Sequence, residues 1–332
     1  MKIGLLGAVC FDEIIALDGT RSESFGGILY NASAFSSILN DADCLAPVSR
    51  LGADRYQAAL NQFRRLPHVD TTGLTRCPEP FTHVQLTWKT ASWRDERILN
   101  RMPPFDLDAL SGVMDCDAVH INFINGTEFD LPAFKAFRNA DRGVISLDVH
   151  QIISRFDAEG KREIVGFRDW AEWAPHVDIL QCNEFEVAAM LEPKPANRTD
   201  FLRAARTICA AGPRAVVITL GPDGALLVHR KDGAYYAVDL GVLPQDKIAD
   251  TTGCGDSFSA GFLWGLLTYD DPVTALACGA AVAGVNARYS GIGRLAEAKA
   301  YLADPRSHFP ALAARGPIWP GDPLFDVHGP AS

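Results

Sequence analysis

Asp250-Thr251-Thr252-Gly253-Cys254-Gly255-Asp256-Ser257-Phe258-Ser259-Ala260-Gly261-Phe262 decides how the rest of this chain is read. Gly253, Cys254 and Gly255 make a small-residue turn that opens onto Ser257–Thr268, a mostly apolar run of helical length. A helix start leaves backbone N–H groups without intrahelical partners, and the macrodipole adds partial positive charge there. Glycines let those amides come close to a ligand, so the turn can cradle a phosphate. Asp256 is the odd member, because a carboxylate among such amides competes with the anion they serve. It fits if it takes a proton from an attacking hydroxyl while the amides bind the phosphoryl group under attack. Acidic residues also cap helices in the first turn, and an isolated Gly-x-Gly-Asp would be read that way.

Outward from this turn, short apolar segments alternate with amphipathic ones. Lys2–Val9, Ala118–Phe123, Val144–Val149, Ile179–Cys182 and Ala215–Leu220 read as buried strands, since near-continuous apolar runs suit parallel strands covered on both faces. Ala32–Leu39, Tyr56–Arg64, Leu131–Arg138, Glu184–Leu191 and Asp200–Ala211 read as helices. The alternation predicts an α/β three-layer fold around a mostly parallel sheet with right-handed crossovers. Phe11–Asp18 and the pair Thr82–Trp88 with Glu96–Arg101 break the rhythm and read as alternating strands, of a small second sheet or of an edge extension of the main one. The stretch from Gly316, with four prolines in 17 residues, has little periodicity and reads as a surface-wrapping or disordered tail over 316–332.

The bulk properties narrow the function. A chain of 332 residues with 48% hydrophobic and 22% charged residues suits one large globular domain or a domain plus a small appendage. A net charge of −10 argues against a nucleic-acid partner. The eight cysteines include no Cys-x-x-Cys pair, which disfavours zinc and a disulfide framework and suits a reducing cytosol. The apolar start is followed at once by Asp12 and Glu13, so it reads as a strand rather than a signal sequence, and no run approaches the ~20 apolar residues of a membrane span. The expected location is cytoplasmic.

The signature at Asp250–Phe262 resembles that of the ribokinase-like (PfkB) carbohydrate kinases, roughly Asp-Thr-x-Gly-Ala-Gly-Asp-x-Phe, with Cys254 where Ala is usual. The resemblance covers nearly the whole chain, as a kinase domain over 1–315. It implies the ribokinase-like fold with a small β-sheet lid near 11–18 and 82–101. It also implies ATP and Mg²⁺ as cofactors and phosphoryl transfer to an alcohol group of a sugar-like small molecule. Asp256 would be the base, and the amides of Gly253, Cys254, Gly255 and Asp256 the anion hole. A homodimer through the lid is compatible with it.

The other candidates have a reading from the residues and one from the resemblance. Asp12 reads as an acid ending the first strand, at the edge where open α/β sheets bind ligands, and it matches the family's sugar-binding Asp. Gly26 and Gly27 read as a turn before a helix. With Asn31 they resemble a Gly-Gly-x-x-x-Asn element that contacts sugar hydroxyls. Leu51-Gly52-Ala53-Asp54 resembles the family's Gly-x-Asp element, a turn and cap. Asn183 and Glu186 share one helix face, which suits a capping box, and the family's Asn-x-x-Glu is associated with Mg²⁺ and the phosphates. Thr219, Gly221 and Gly224 end a strand in a tight turn that resembles the family's nucleotide-bordering Thr-x-Gly. Asp250 and Thr252, with a later loop at Gly291 and Gly293, are where the resemblance implies a monovalent cation, K⁺. Arg101 sits about where sugar-acid and fructose kinases place a substrate-contacting Arg, in a lid segment that also carries Lys89, Arg94 and Arg97.

Some matches are set aside. Gly291-Ile292-Gly293-Arg294-Leu295-Ala296 fits a dinucleotide fingerprint, but Ala275–Arg288 before it reads as helix where that motif needs a strand. No Walker A sequence occurs. Two competitors to a carbohydrate kinase remain: a nucleoside kinase with Trp88, Trp93 or Phe123 stacking a base, and a ligand sensor that has kept the fold without catalysis.

Overall fold

Strands form where the apolar runs are densest. A computed structural model of the chain describes residues 1–90, 94–140, 143–245, 247–292, 295–310 and 312–318. Its strands are β1 (Lys2–Gly7), β2 (Val9–Ile15), β3 (Arg21–Gly27), β4 (Cys44–Gly52), β5 (Leu74–Cys77), β6 (His83–Trp88), β7 (Arg94–Asn100), β8 (Ala118–Asn122), β9 (Val144–Asp148), β10 (Ser154–Phe156), β11 (Arg162–Ile164), β12 (Ile179–Asn183), β13 (Ala215–Thr219), β14 (Ala225–Lys231), β15 (Ala234–Leu240) and β16 (Ala313–Ile318). The fold is mixed α/β, with a large, mostly parallel sheet and a small separate one. The chain divides into two units, 1–32 with 40–143 and 149–167, and 33–39 with 144–148 and 168–332.

The first unit contains the parallel order β8–β1–β4–β5, with Leu5 opposite both Pro47 and His120. Ile3, Leu5 and Leu6 of β1 are fully buried, which explains the unbroken apolar run. The small sheet has the order β3–β2–β6–β7, with β2 antiparallel to β3 and parallel to β6. Two sequence expectations are corrected here. The first strand stops at Gly7, and Asp12 lies in the middle of β2, opposite Ser24 and Val84, rather than at the end of a main-sheet strand. Gly26 and Gly27 are the last residues of β3, not a free turn. Gly27 has φ +64°, and a Cβ there would meet the Ala8 carbonyl at 2.3 Å, so only glycine lets the chain pass from strand into the helix Ile28–Ile38.

The second unit contains the parallel order β9–β12–β13, continued by antiparallel β14, β15 and β16. Residues 316–318, expected in the tail, belong to β16, whose pairing with β15 supplies the hydrogen bonds that proline-rich chain cannot make alone. The rest of the tail lies outside the described residues. The helices Cys254–Tyr269 and Pro272–Asn286 are buried almost all round, as their near-uniform apolar sequence requires. Their seam is made of small residues. A Cβ at Gly261 would lie 2.7 Å from the Cys278 carbonyl, and one at Gly265 would lie 2.9 Å from the Cys278 side chain. This close seam gives the turn at Gly253 a rigid base. Asp271 starts the second helix by accepting from Thr274 N, with Pro272 in its first turn. Among the described residues, no helix is long and apolar enough to cross a membrane.

Candidate active site

In the second unit, the helix Cys254–Tyr269 begins at Gly253, whose φ of +77° is left-handed and which has no side chain to cap the helix. Gly255 follows without that constraint. Its φ is ordinary, and a Cβ added there would meet nothing within 4 Å. Neither backbone strain nor packing demands glycine at 255, while approach of a ligand to the backbone would. The loop ahead is pinned to the neighbouring helix. Ala249 N donates to Ala287 O at 2.8 Å, and Asn286 Nδ2 donates to Thr252 O at 2.8 Å. Cys254 joins this anchoring, with its thiol 3.5 Å from Ala283 O and Asn286 Nδ2 3.4 Å from its sulfur. Burial holds the Cys254 thiol above its ordinary pKa. Asp250 Oδ1 accepts from Thr252 N at 2.9 Å, shaping the loop locally.

Asp256 lies half-buried in the first helical turn. Two other carboxylates of this unit act on the same space. Glu186 is buried, and both its oxygens accept from Asn183: Oε2 from the backbone N at 2.8 Å and Oε1 from Nδ2 at 2.9 Å. Asn183 Oδ1 in turn accepts from Phe185 N and Glu186 N, so the capping box forms in full. Asp148, at the end of β9, is the third. Burial pushes its carboxyl well above the usual carboxylate range, and the charges of Glu186 and Asp256 push it the same way. Its Oδ2 accepts from Gln181 Nε2 at 3.0 Å and lies 3.3 Å from Ser259 Oγ. Among the described residues, no group of three or more His, Cys, Asp and Glu is close enough to cage a metal. Mg²⁺ does not need a cage, because it keeps several waters and takes few protein oxygens directly. Glu186 and Asp256 both act electrostatically on Asp148, and such a set of acids suits a hydrated divalent cation.

Thr219 ends β13, and Gly221–Asp223 make the tight turn into antiparallel β14, as a strand–turn–strand reading requires. Gly221 (φ +53°) has open space where a Cβ would be, whereas a Cβ at Gly224 would meet the Leu240 carbonyl at 2.0 Å. Arg198 fixes the turn through Asp223 O at 2.7 Å and holds Asp239 with two bonds.

The first unit gathers the other candidates. Asp12 is 8% exposed, and Cys10 Sγ donates to its Oδ1 at 3.2 Å. Gly26 lies directly beside it, since a Cβ there would come within 2.2 Å of Asp12 Oδ2. Gly26 thus makes room for the carboxylate. Asn31 is fully buried. Its Oδ1 accepts from Asn122 Nδ2 at 3.1 Å, and its Nδ2 lies 3.4 Å from His120 Nε2. Burial drives the His120 imidazole down to about 3, which leaves it neutral and able to accept from Asn31. Asp54 accepts from Phe81 N at 2.8 Å, a structural role as expected. Arg101 donates to Phe156 O at 3.4 Å, and its guanidinium lies 5.1 Å from that ring's centre. Phe123 is fully buried, with its ring 6.2 Å from Phe129, so it cannot stack a base. Trp93 and Gly293 lie outside the described residues, and the helix Pro272–Asn286 stands where the dinucleotide fingerprint needed a strand.

Asp148, Gln181, Ser259, His120 and Asn122 went unnoticed in the sequence. Asp148 carried a usable signal, an acid ending an apolar strand.

Residues 160–299 match the profile of the pfkB family carbohydrate kinases. That stretch is similar to the family. Among curated relatives, an ATP-dependent ribose-1-phosphate kinase of Halopiger xanaduensis is 36% identical over 125 residues, covering 36% of this chain and 37% of the relative. The chain thus spans little more than a third of that relative's length. A cytidine kinase of Thermococcus kodakarensis is 24% identical over 270 residues, 80% of this chain and 88% of the relative. A sulfate complex of a pyrophosphate-dependent kinase in the ribokinase family superposes with TM-score 0.73 at 19% identity, over 88% of this chain and 98% of that one, which is a likeness of fold.

Proposed function

We propose that the protein is an ATP- and Mg²⁺-dependent kinase that transfers the γ-phosphoryl group to a hydroxymethyl group of a sugar or sugar-like substrate. The observation that carries this reading is the first turn of the helix Cys254–Tyr269: a left-handed Gly253, an open Gly255 and Asp256 on one uncapped helix start. Asp256 takes the acceptor hydroxyl's proton. The oxygen then bonds to the γ-phosphorus as the bond to ADP's bridging oxygen breaks, and ADP leaves with that electron pair. The amides of Gly253–Asp256 stabilise the charge on the phosphoryl oxygens. Glu186 and Asp148 would hold a hydrated Mg²⁺, which would supply charge neutralisation for the phosphates. Thr219 and Gly221 border the nucleotide, and Asp250 and Thr252 lie in the loop where K⁺ would sit. Asp12 accepts from substrate hydroxyls, with Gly26 and Gly27 keeping backbone beside them. Asn31 serves from behind, because its amide is held by Asn122 and His120.

Burial removes Phe123, one of the three aromatic side chains on which a nucleoside reading could rely. An intact Asp256 beside an open anion turn is chemistry that a sensor has no use for. The test is ADP release from ATP and Mg²⁺ across sugars, sugar acids, sugar phosphates, polyols and nucleosides, with pyrophosphate as a second donor. One acceptor should stand out with ATP, and its turnover should fall at least about a hundredfold in Asp256→Asn. Near-normal turnover in the variant sinks the assignment.

A further inference from the structure

Gly255's carbonyl oxygen is held by two side chains from different elements. Gln181 Nε2, on β12, donates to it at 3.1 Å, and Ser259 Oγ donates to it at 3.0 Å. Both donors also reach the same oxygen of Asp148, Oδ2, at 3.0 and 3.3 Å. The amide of Gln181 has two protons and can satisfy both acceptors at once, while the hydroxyl of Ser259 has one and divides it. Gln181 and Asp148 are both buried on neighbouring, hydrogen-bonded strands, with Gln181 opposite Asp148 in register. The result is a closed polar ring: Asp148, two bridging donors, and one carbonyl at the start of a helix.

The ring acts on the anion turn through the peptide bond. The carbonyl of Gly255 and the N–H of Asp256 belong to one planar trans peptide and point in opposite directions. Fixing the oxygen therefore fixes the direction of the Asp256 N–H. Helix ends fray more readily than helix centres, and glycine at 255 adds backbone freedom just where direction matters. Hydrogen bonds accepted by the carbonyl also polarise the peptide and strengthen its N–H as a donor.

We propose that Gln181 and Ser259, anchored on Asp148, are positioning residues that aim the Asp256 N–H at the transferring phosphoryl group. The inference rests on the kinase reading above, and goes beyond it in assigning work to Gln181 and Ser259, two residues that never touch the phosphate.

Two readouts separate the inference from that reading. The first is hydrogen exchange of the backbone amides at 254–258 in the full-length protein without ligand, which requires no activity. Ser259→Ala and Gln181→Met should each speed exchange in this segment by about tenfold, the effect of one hydrogen bond on local opening, while exchange in β13 stays unchanged. The second is turnover with ATP, Mg²⁺ and whichever acceptor the panel identifies. Both variants should lower kcat by about tenfold and leave the KM for the acceptor within about twofold, because the lost contact matters in the transition state. Ser259→Thr keeps the hydroxyl and should restore both exchange and kcat, which a packing role would not predict. Unchanged exchange in both variants overturns the inference, as does Ser259→Thr behaving like Ser259→Ala. If no acceptor supports turnover in the wild type, the kinase reading fails, and a protected 254–258 segment that loosens in both variants still shows the ring holding the turn.

Discussion

The two units hold their candidate residues in different ways. In the second unit the polar groups stand on fixed elements: Asp148 and Gln181 on paired strands, Glu186 in a complete capping box, and Asp256 on a helix set into a glycine seam. In the first unit Asp12 lies on a strand of the small sheet, its place depends on the missing side chain of Gly26, and Asn31 works from inside through His120 and Asn122. The family match falls on the first pattern, since residues 160–299 lie almost wholly in the second unit. Donor chemistry asks for one geometry whatever the acceptor, whereas acceptor recognition must differ with every substrate. The reaction class is therefore readable in one unit, and the substrate remains to be found through the other.

The largest expected effect breaks the comparison most directly. Asp256→Asn should cost turnover by the same factor, at least about a hundredfold, with every acceptor the wild type accepts, because the base acts on a hydroxyl common to all of them. A loss that depends strongly on the acceptor would place Asp256 in recognition instead. Its far-UV spectrum and melting temperature should match the wild type, given that the side chain is only half-buried.

Asp12→Ala comes next. Losing a charged acceptor of substrate hydroxyls should lower kcat/KM by about 10- to 100-fold, and by unequal factors across acceptors. Gly26→Ala probes the same carboxylate from the other side. An added Cβ 2.2 Å from Asp12 Oδ2 forces the carboxylate to swing, a cheap movement for the protein but a costly one for a bound hydroxyl. We expect about a tenfold loss in kcat/KM, and no further loss when Gly26→Ala is added to Asp12→Ala. Additive losses in the double variant would show that Gly26 acts on substrate independently of Asp12.

How much of this was readable beforehand follows from how far apart the cooperating residues lie. Gly253–Asp256 is contiguous, and Asn183 with Glu186 spans one helical turn, so spacing alone exposes both. The strand–helix alternation gave the α/β class for the same reason, as each element carries its own pattern. The ring of Asp148, Gln181 and Ser259 joins residues 33 and 111 positions apart, and nothing local links them. Asp12 was misplaced because β1 and β2 are separated by a single residue, so the apolar run continues across the change of sheet. Phe123 looked available because an aromatic after a strand reads the same whether it faces ligand or the cluster around Phe129.

The smallest effect sharpens the contrast within the first unit, where two buried titratable groups have structural rather than chemical work. His120 is driven by burial from 6.5 to about 3, and Glu128 is pushed by burial from 4.5 to about 7, against the backbone N–H it accepts from Asn125 at 2.6 Å. Between pH 6.5 and 4.5 the unfolded chain carries a proton on His120 that the folded one lacks, so falling pH favours unfolding through this group. Over the same window the folded protein carries a proton on Glu128 that the unfolded chain lacks, so falling pH favours folding through it. In the wild type the two contributions cancel. Glu128→Gln should unmask the histidine, with stability falling by about 1.4 kcal/mol per unit of decreasing pH relative to wild type, and His120→Gln should show the opposite slope. Urea denaturation at several pH values across that window reads both slopes, whatever each substitution costs at a single pH. Parallel curves for wild type and both variants would mean that neither side chain is held as the structure places it, and that the backing of Asn31 by a neutral His120 must be abandoned.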